Sequence, residues 1–105
     1  MREERIAKLQ DFLAKNPRDS FSRYALALEY AGQGNTEHAV TLLEELLRDD
    51  PTYVPAYQQL GYAYQKLDRR DDAIAVLKRG MEVAVAQGDL HARGEMQEAL
   101  EELQV

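Results

Sequence analysis

No cysteine occurs in the 105 residues, so a disulfide framework and a thiolate-bound metal are both excluded. No stretch approaches the roughly 20 consecutive apolar residues that span a bilayer. The opening Met-Arg-Glu-Glu-Arg leads into an amphipathic run rather than an apolar core, so no secretory signal is read there. These absences give the expectation of a cytoplasmic protein. Basic clusters are lacking as well. Arg69–Arg70 and Lys78–Arg79 are isolated pairs, each close to acidic residues, in a chain of net charge −6. Duplex nucleic acid is held by neutralising its phosphates with Lys and Arg, and an anionic membrane surface attracts the same residues. Neither is expected as the main partner; the sign favours a partner with basic or neutral contact residues, though acidity also serves solubility. The length predicts one domain, able to bury a usable core without staples.

Catalytic constellations are also missing. His38 and His91 fall on different expected helices, and neither has a second His or Cys at i+3 or i+4, the spacing of a helical zinc site. The acidic pairs Glu3–Glu4, Glu44–Glu45, Asp49–Asp50, Asp71–Asp72 and Glu101–Glu102 are adjacent residues, which point in different directions from a helix. They read as solvated faces rather than as acid/base machinery, which needs buried, perturbed carboxyls. Gly32-Gln33-Gly34 lacks the Lys and the preceding strand of a phosphate loop. Asp68, Asp71 and Asp72 lack the loop length, the Gly and the final Glu of a calcium site. The expectation is a non-enzymatic protein with no catalytic residue, no metal and no cofactor.

What the chain does contain is a repeat. Shifted by 34 residues, Leu26 meets Leu60, Ala27 meets Gly61, Tyr30 meets Tyr64, Ala39 meets Ala73, Val40 meets Ile74 and Leu43 meets Leu77. Pro17 and Pro51 share the same spacing. A period of this size marks stacked units, each burying its apolar face only against its neighbours.

The series Tyr57, Leu60, Gly61, Tyr64, Ala73, Leu77 resembles the tetratricopeptide repeat, and Leu26, Ala27, Tyr30, Ala39, Leu43 and Pro51 form a second copy. The resemblance implies an all-α fold: a right-handed α-solenoid of antiparallel helix pairs, about six helices in all. It divides the chain into a half-repeat helix (1–17), a first repeat (20–53), a second repeat (54–87) and a capping helix (89–105). Three positions depart from the pattern. Arg23 replaces an aromatic and should make a polar or snorkelled contact. Gly80 replaces Ala, and Val85 replaces the closing Pro, which lets that helix run on. A further shift fails, since Gly94 and Glu98 stand at the Leu and Tyr positions, so the last segment reads as a terminal cap.

Apolar spacing and capping residues place helices at about 3–15, 20–32, 36–48, 53–66, 70–87 and 90–104. Asn16-Pro17 stops the first, because a residue before Pro avoids the α region. Asp19 or Ser20, Asn35, Asp68 and Asp89 are the expected N-caps. Pro55 sits in a first turn, where its missing N–H costs little. Gly34 supplies a left-handed turn residue, and Gly88 a helix terminus. Small residues at Ala27, Gly61, Ala39 and Ala73 should let paired helices approach closely.

In the family this chain resembles, the first helix of each unit lines a concave face that holds extended or helical peptides. Carried across, that face comprises Phe21, Tyr24, Leu28 and Ala31, then Pro55, Gln58, Tyr62, Gln65 and Lys66, with His91 and Arg93 at the last helix. The expected peptide-contacting set is Phe21, Tyr24, Leu28, Gln58, Tyr62, Gln65, Lys66 and Arg93. One branch of the family clamps a C-terminal carboxylate with Lys and Asn. Tyr24 and Leu28 occupy those places here, Gln59 matches in the second unit and Arg93 alone in the third, so that mode is not expected. The surface reads instead as amphipathic, suited to an amphipathic helix or an extended peptide. The expected function is therefore a protein–protein interaction scaffold whose partner is another protein or peptide. The alternative is self-association: the first helix is amphipathic and begins as half a unit, so its open side can pair weakly with a second copy to form a homodimer through terminal helices.

Overall fold

A computed structural model describes all 105 residues as six helices: α1 (Arg2–Lys15), α2 (Ser20–Gly32), α3 (Thr36–Asp49), α4 (Val54–Lys66), α5 (Arg70–Ala86) and α6 (Leu90–Leu103). Every boundary lies within one residue of the expectation. Three of the six starts, those of α2, α3 and α6, carry side-chain caps. The Asp19 carboxylate accepts from the Ser22 N–H at 2.9 Å, and that of Asp89 from the Ala92 N–H at 3.0 Å. Asn35 accepts from the His38 N–H at a longer 3.4 Å. Each bond satisfies a backbone donor that the first helical turn leaves free.

Asp68 corrects one expectation. It does not cap α5, which has no side-chain cap; Arg69 precedes the helix instead. Asp68 takes φ +58°, the left-handed conformation that Gly34, 34 residues earlier, adopts at φ +85°. Both residues reverse the chain within a helix pair. Asp is one of the few side chains that tolerate this conformation.

The helices stack in chain order, each packing chiefly on its neighbours in sequence. The result is an elongated body of 40 × 28 × 21 Å. Two apolar clusters run through it. One joins Ala27, Val40, Leu43, Leu46, Ala56, Leu60, Ala63, Tyr64 and Ala73 across α2–α5. The other joins Val54, Tyr57, Leu77 and Ala84 to Ala92, Met96 and Ala99 of α6.

Small residues sit at the closest approaches. A β-carbon on Gly61 would lie 2.7 Å from a Leu77 methyl. One on Gly80 would lie 2.6 Å from both Tyr57 Cβ and Met96 Sδ. The repeat-signature positions Leu26, Ala27, Ala39, Leu43, Leu60, Gly61, Tyr64, Ala73 and Leu77 are all buried, while Tyr30 is partly exposed and Pro51 exposed.

Polar contacts repeat with the same period. The Tyr64 hydroxyl of α4 donates to Glu44 of α3, and the Gln10 amide of α1 donates to the Tyr30 hydroxyl of α2 at 2.9 Å. Each pair is the other displaced by 34 residues. Burial, and next the Glu44 contact, push the Tyr64 phenol well above its ordinary range. At the aromatic position of the second unit, Tyr57 is buried and donates to the Pro51 carbonyl at 2.6 Å. At the matching place, Arg23 is nearly enclosed and pairs with Asp49 at 2.9 Å. The ion pair lets a charged residue fill an aromatic's position.

Candidate functional site: the face lined by α2 and α4

The first helix of each unit presents one side to the neighbouring helix stack and leaves another open. On α2 the open side carries Phe21, 69 % exposed, with Tyr24 and Leu28 partly buried beside it. Tyr24 leans on Tyr53 with ring centroids 5.5 Å apart and planes at 54°. Burial there, followed by the effect of Tyr53, raises its phenol above the ordinary value. Tyr24 is therefore partly spent on internal packing, whereas Phe21 is open.

On α4, Gln58 donates from its side-chain amide to the Tyr62 hydroxyl at 2.7 Å, one helical turn on. This i,i+4 bond steadies a ring that stays 39 % exposed. Ala31, Thr36, Gln59, Tyr62, Ala63, Gln65 and Lys66 line a cavity of about 340 Å³ between the two helices. Lys66 is its only charged residue, in a chain of net charge −6. The wall is otherwise methyl groups, one ring, two hydroxyls and two amides.

The structure thus brings Tyr62, Gln65 and Lys66 together around one hollow, with Gln58 as support. Phe21, Tyr24 and Leu28 lie along the neighbouring helix. Arg93 is placed elsewhere: it borders a separate hollow of about 350 Å³ with Lys78, Met81, Glu82, Val85 and Leu100 of α5 and α6. The last helix does not cover the Tyr62 face, because Ala92, Met96 and Ala99 turn into the second apolar cluster. Thr36 and Ala63 were not among the expected contact residues. Thr36 opens α3 and reaches the hollow from just past the α2–α3 turn, a contact between two helices that helical spacing alone does not give.

The histidines remain at the surface. His38 stacks on Tyr30 with centroids 4.0 Å apart, and His91 lies 3.5 Å from Glu95. No group of three or more His, Asp or Glu residues is arranged to hold a metal ion. No helix is long and apolar enough to cross a membrane.

Successive antiparallel helix pairs, with the first helix of each on one open side, define a helical-repeat solenoid. A tetratricopeptide repeat profile matches residues 30–92. The chain belongs to the tetratricopeptide repeat family. Its architecture is the right-handed α-solenoid, two repeats with flanking helices, and the fold is a protein–protein interaction module.

A tetratricopeptide repeat domain protein from Salinibacter ruber is 44 % identical, with a TM-score of 0.79 over 83 % of this chain and 88 % of that one. A Bordetella parapertussis protein is 28 % identical, with a TM-score of 0.83 over 94 % of this chain and 86 % of that one. The TPR2B domain of yeast Sti1, solved as a complex with pHsp70, has a TM-score of 0.89 over 94 % of this chain and 79 % of that one. At 14 % identity this last likeness concerns the fold alone. No protein of curated function matches the sequence.

Proposed function

We propose that this chain is a non-catalytic adaptor whose α2/α4 face holds an amphipathic helix or an extended peptide of another protein. The observation that carries the reading is the open hollow beside Tyr62. It combines apolar walls, a half-exposed ring fixed by Gln58, and amides that can bond a peptide backbone. Binding sites of this kind are largely apolar, with a few convergent polar groups that fix orientation. Phe21 and Leu28 extend the apolar strip along α2, and Tyr24, backed by Tyr53, forms its floor. Lys66 gives the hollow a local charge opposite to that of the whole chain, so the segment entering it would be apolar with a neutral or acidic group. A domain of the same fold holding pHsp70 lends general support to peptide capture by such a face. The missing Lys and Asn on α2 still argue against a carboxylate clamp here. Arg93, facing the α5–α6 hollow, is at most a peripheral contact in this scheme.

The test is selection of peptides from a random display library against the folded protein, followed by NMR titration of the winners. Shift changes should concentrate at Leu28, Gln59, Tyr62 and Lys66. The Phe21→Glu/Tyr62→Glu variant should bind at least about tenfold more weakly, equal to about 1.4 kcal/mol, with an unchanged melting temperature. Shifts confined to α3 and α5, or equal affinity for the variant, would move the binding surface elsewhere.

A further inference from the structure

The last helix follows the repeat at a different spacing. The N-caps of α2 and α4, Asp19 and Tyr53, are 34 residues apart, whereas Tyr53 and the cap of α6, Asp89, are 36 apart. The difference arises in α5, which has 17 residues against 14 in α3 and is followed by a connection one residue shorter. A shift of 36 places Ala56, Leu60 and Ala63 of α4 on Ala92, Met96 and Ala99 of α6, and all six are buried. Both triplets turn toward the second helix of the preceding unit: Leu60 clusters with Leu43 and Leu46 of α3, and Met96 Sδ lies at the Gly80 position of α5. Helix α6 is thus seated as the first helix of a third unit, two residues on from the 34-residue pattern. Arg93 then matches Tyr57 and Arg23, which is why it points away from the groove.

By the same shift, Gln58, Tyr62, Gln65 and Lys66 of the groove correspond to Gly94, Glu98, Glu101 and Glu102. The three carboxylates are exposed, and none takes part in an ion pair. A β-carbon on Gly94 would meet nothing within 4 Å, so the strip is open at its start. Helix α6 lies against α4 as well as α5, so this strip continues from the hollow beside Tyr62. Tyr62 stays 39 % exposed although α4 has packed helices on both sides. The matching side of α6 would therefore remain open beneath any helix that followed it.

We propose that the α2/α4 groove runs on across α6 and takes a peptide segment of fixed direction: an apolar residue in the hollow beside Tyr62, and Lys or Arg side chains beyond it over Glu98, Glu101 and Glu102. This rests on the peptide-binding reading of that groove and adds the chemistry and orientation of the ligand. The hollow, with its apolar walls and amides, can hold an anchor but does not set which way the chain runs. The acidic strip supplies that, because charge changes sign between the matching places Lys66 and Glu102. A segment laid in reverse would carry its cations toward Phe21, Tyr24 and Leu28 of α2, where the groove is aromatic and aliphatic, and leave the carboxylates unmatched. Complementary charge of this kind contributes orientation and selectivity more than raw affinity.

The test is selection from a random peptide library in parallel on the wild type and on Glu98→Gln/Glu101→Gln/Glu102→Gln, which removes three exposed charges and no buried side chain. Wild-type winners should carry an apolar anchor with Lys or Arg to one side of it, and winners on the variant should keep the anchor and lose the basic flank. A synthetic wild-type winner should bind the variant at least about fivefold more weakly at low salt, the scale of a few exposed charge pairs, and the gap should shrink at high salt. A spin label on its basic end should broaden the Gly94 and Glu98 amide signals and spare those of α2. Glu3→Gln/Glu4→Gln/Glu45→Gln makes the same change in net charge at exposed sites off the groove and should bind like the wild type. Winners that shift Tyr62 but have no basic flank, or bind the α6 variant equally, would overturn the acidic extension and leave the groove reading standing. Broadening of α2 instead of α6 would overturn it as well, and so would an equal loss in the off-groove control, since total charge would then be the cause. Winners that leave Tyr62 unshifted would overturn both readings.

Discussion

One substitution, made at two sites, separates intrinsic helix preference from packing. Gly80 and Gly94 both lie inside helices, and replacing a helical Gly with Ala is intrinsically favourable by about 0.5–1 kcal/mol. At Gly94 a β-carbon meets nothing within 4 Å, so Gly94→Ala should realise that gain. At Gly80 the same carbon would lie 2.6 Å from Tyr57 Cβ and 2.6 Å from Met96 Sδ. Met96 can swing its thioether aside, but Tyr57 Cβ is one bond from the α4 backbone, and the Tyr57 hydroxyl is tied to the Pro51 carbonyl. Helices α4 and α5 must therefore separate, an overpacking cost of about 1–3 kcal/mol. The net expectation for Gly80→Ala is a loss of about 1 kcal/mol, and the two variants should differ by about 2 kcal/mol. Thermal unfolding would show this as a melting point lowered by about 4–8 °C at Gly80 and raised by a few degrees at Gly94. Urea titration would confirm that the slopes match, so that compactness is unchanged. A Gly80→Ala protein as stable as the wild type would refute the close approach of α4, α5 and α6 at this point.

Further outcomes follow from the same packing. Ala73 is fully buried against α4, and Ala73→Leu should force that pair apart at a cost of about 1–3 kcal/mol in a thermal melt. The Glu29 carboxyl is held below its ordinary 4.5, chiefly by the hydrogen bond from Arg5 and then by the nearby charges of Arg5 and Arg2. A depressed folded-state pKa adds stability that is present above 4.5 and is lost as pH falls through the lower folded value. The urea midpoint should therefore fall on acidification below that range, and less steeply for Glu29→Gln than for the wild type. Identical pH profiles would mean that the Arg5–Glu29 contact does not help fasten α1 to α2.

The helices were legible because their signals are local. The i,i+3/i+4 spacing, Asp19, Asn35 and Asp89 as caps, and Asn16-Pro17 as a stop act within a turn or two of the residue concerned. The stacking was legible because the 34-residue shift repeats the contact positions, and a repeat can bury its face only on its neighbour. Asp68 was misjudged because its type suits both an N-cap and a left-handed turn, and only the chain reversal between α4 and α5 selects the second. Its match with Gly34 held that information but conflicted with residue type. For the α2/α4 face, the family resemblance named Tyr62, Gln65 and Lys66, which line one hollow. It could not tell that Tyr24 would lean on Tyr53, that Thr36 would join the hollow, or that Arg93 would border a different one.

The sequence by itself determined the repeat, its helices and the small residues at the crossings, because periodicity and local backbone preference are written along the chain. Only the tertiary structure decided which side chains remain open, since exposure depends on how neighbouring helices settle against each other. It left Phe21 and Tyr62 in solvent, turned Tyr24 inward and kept α6 off the groove.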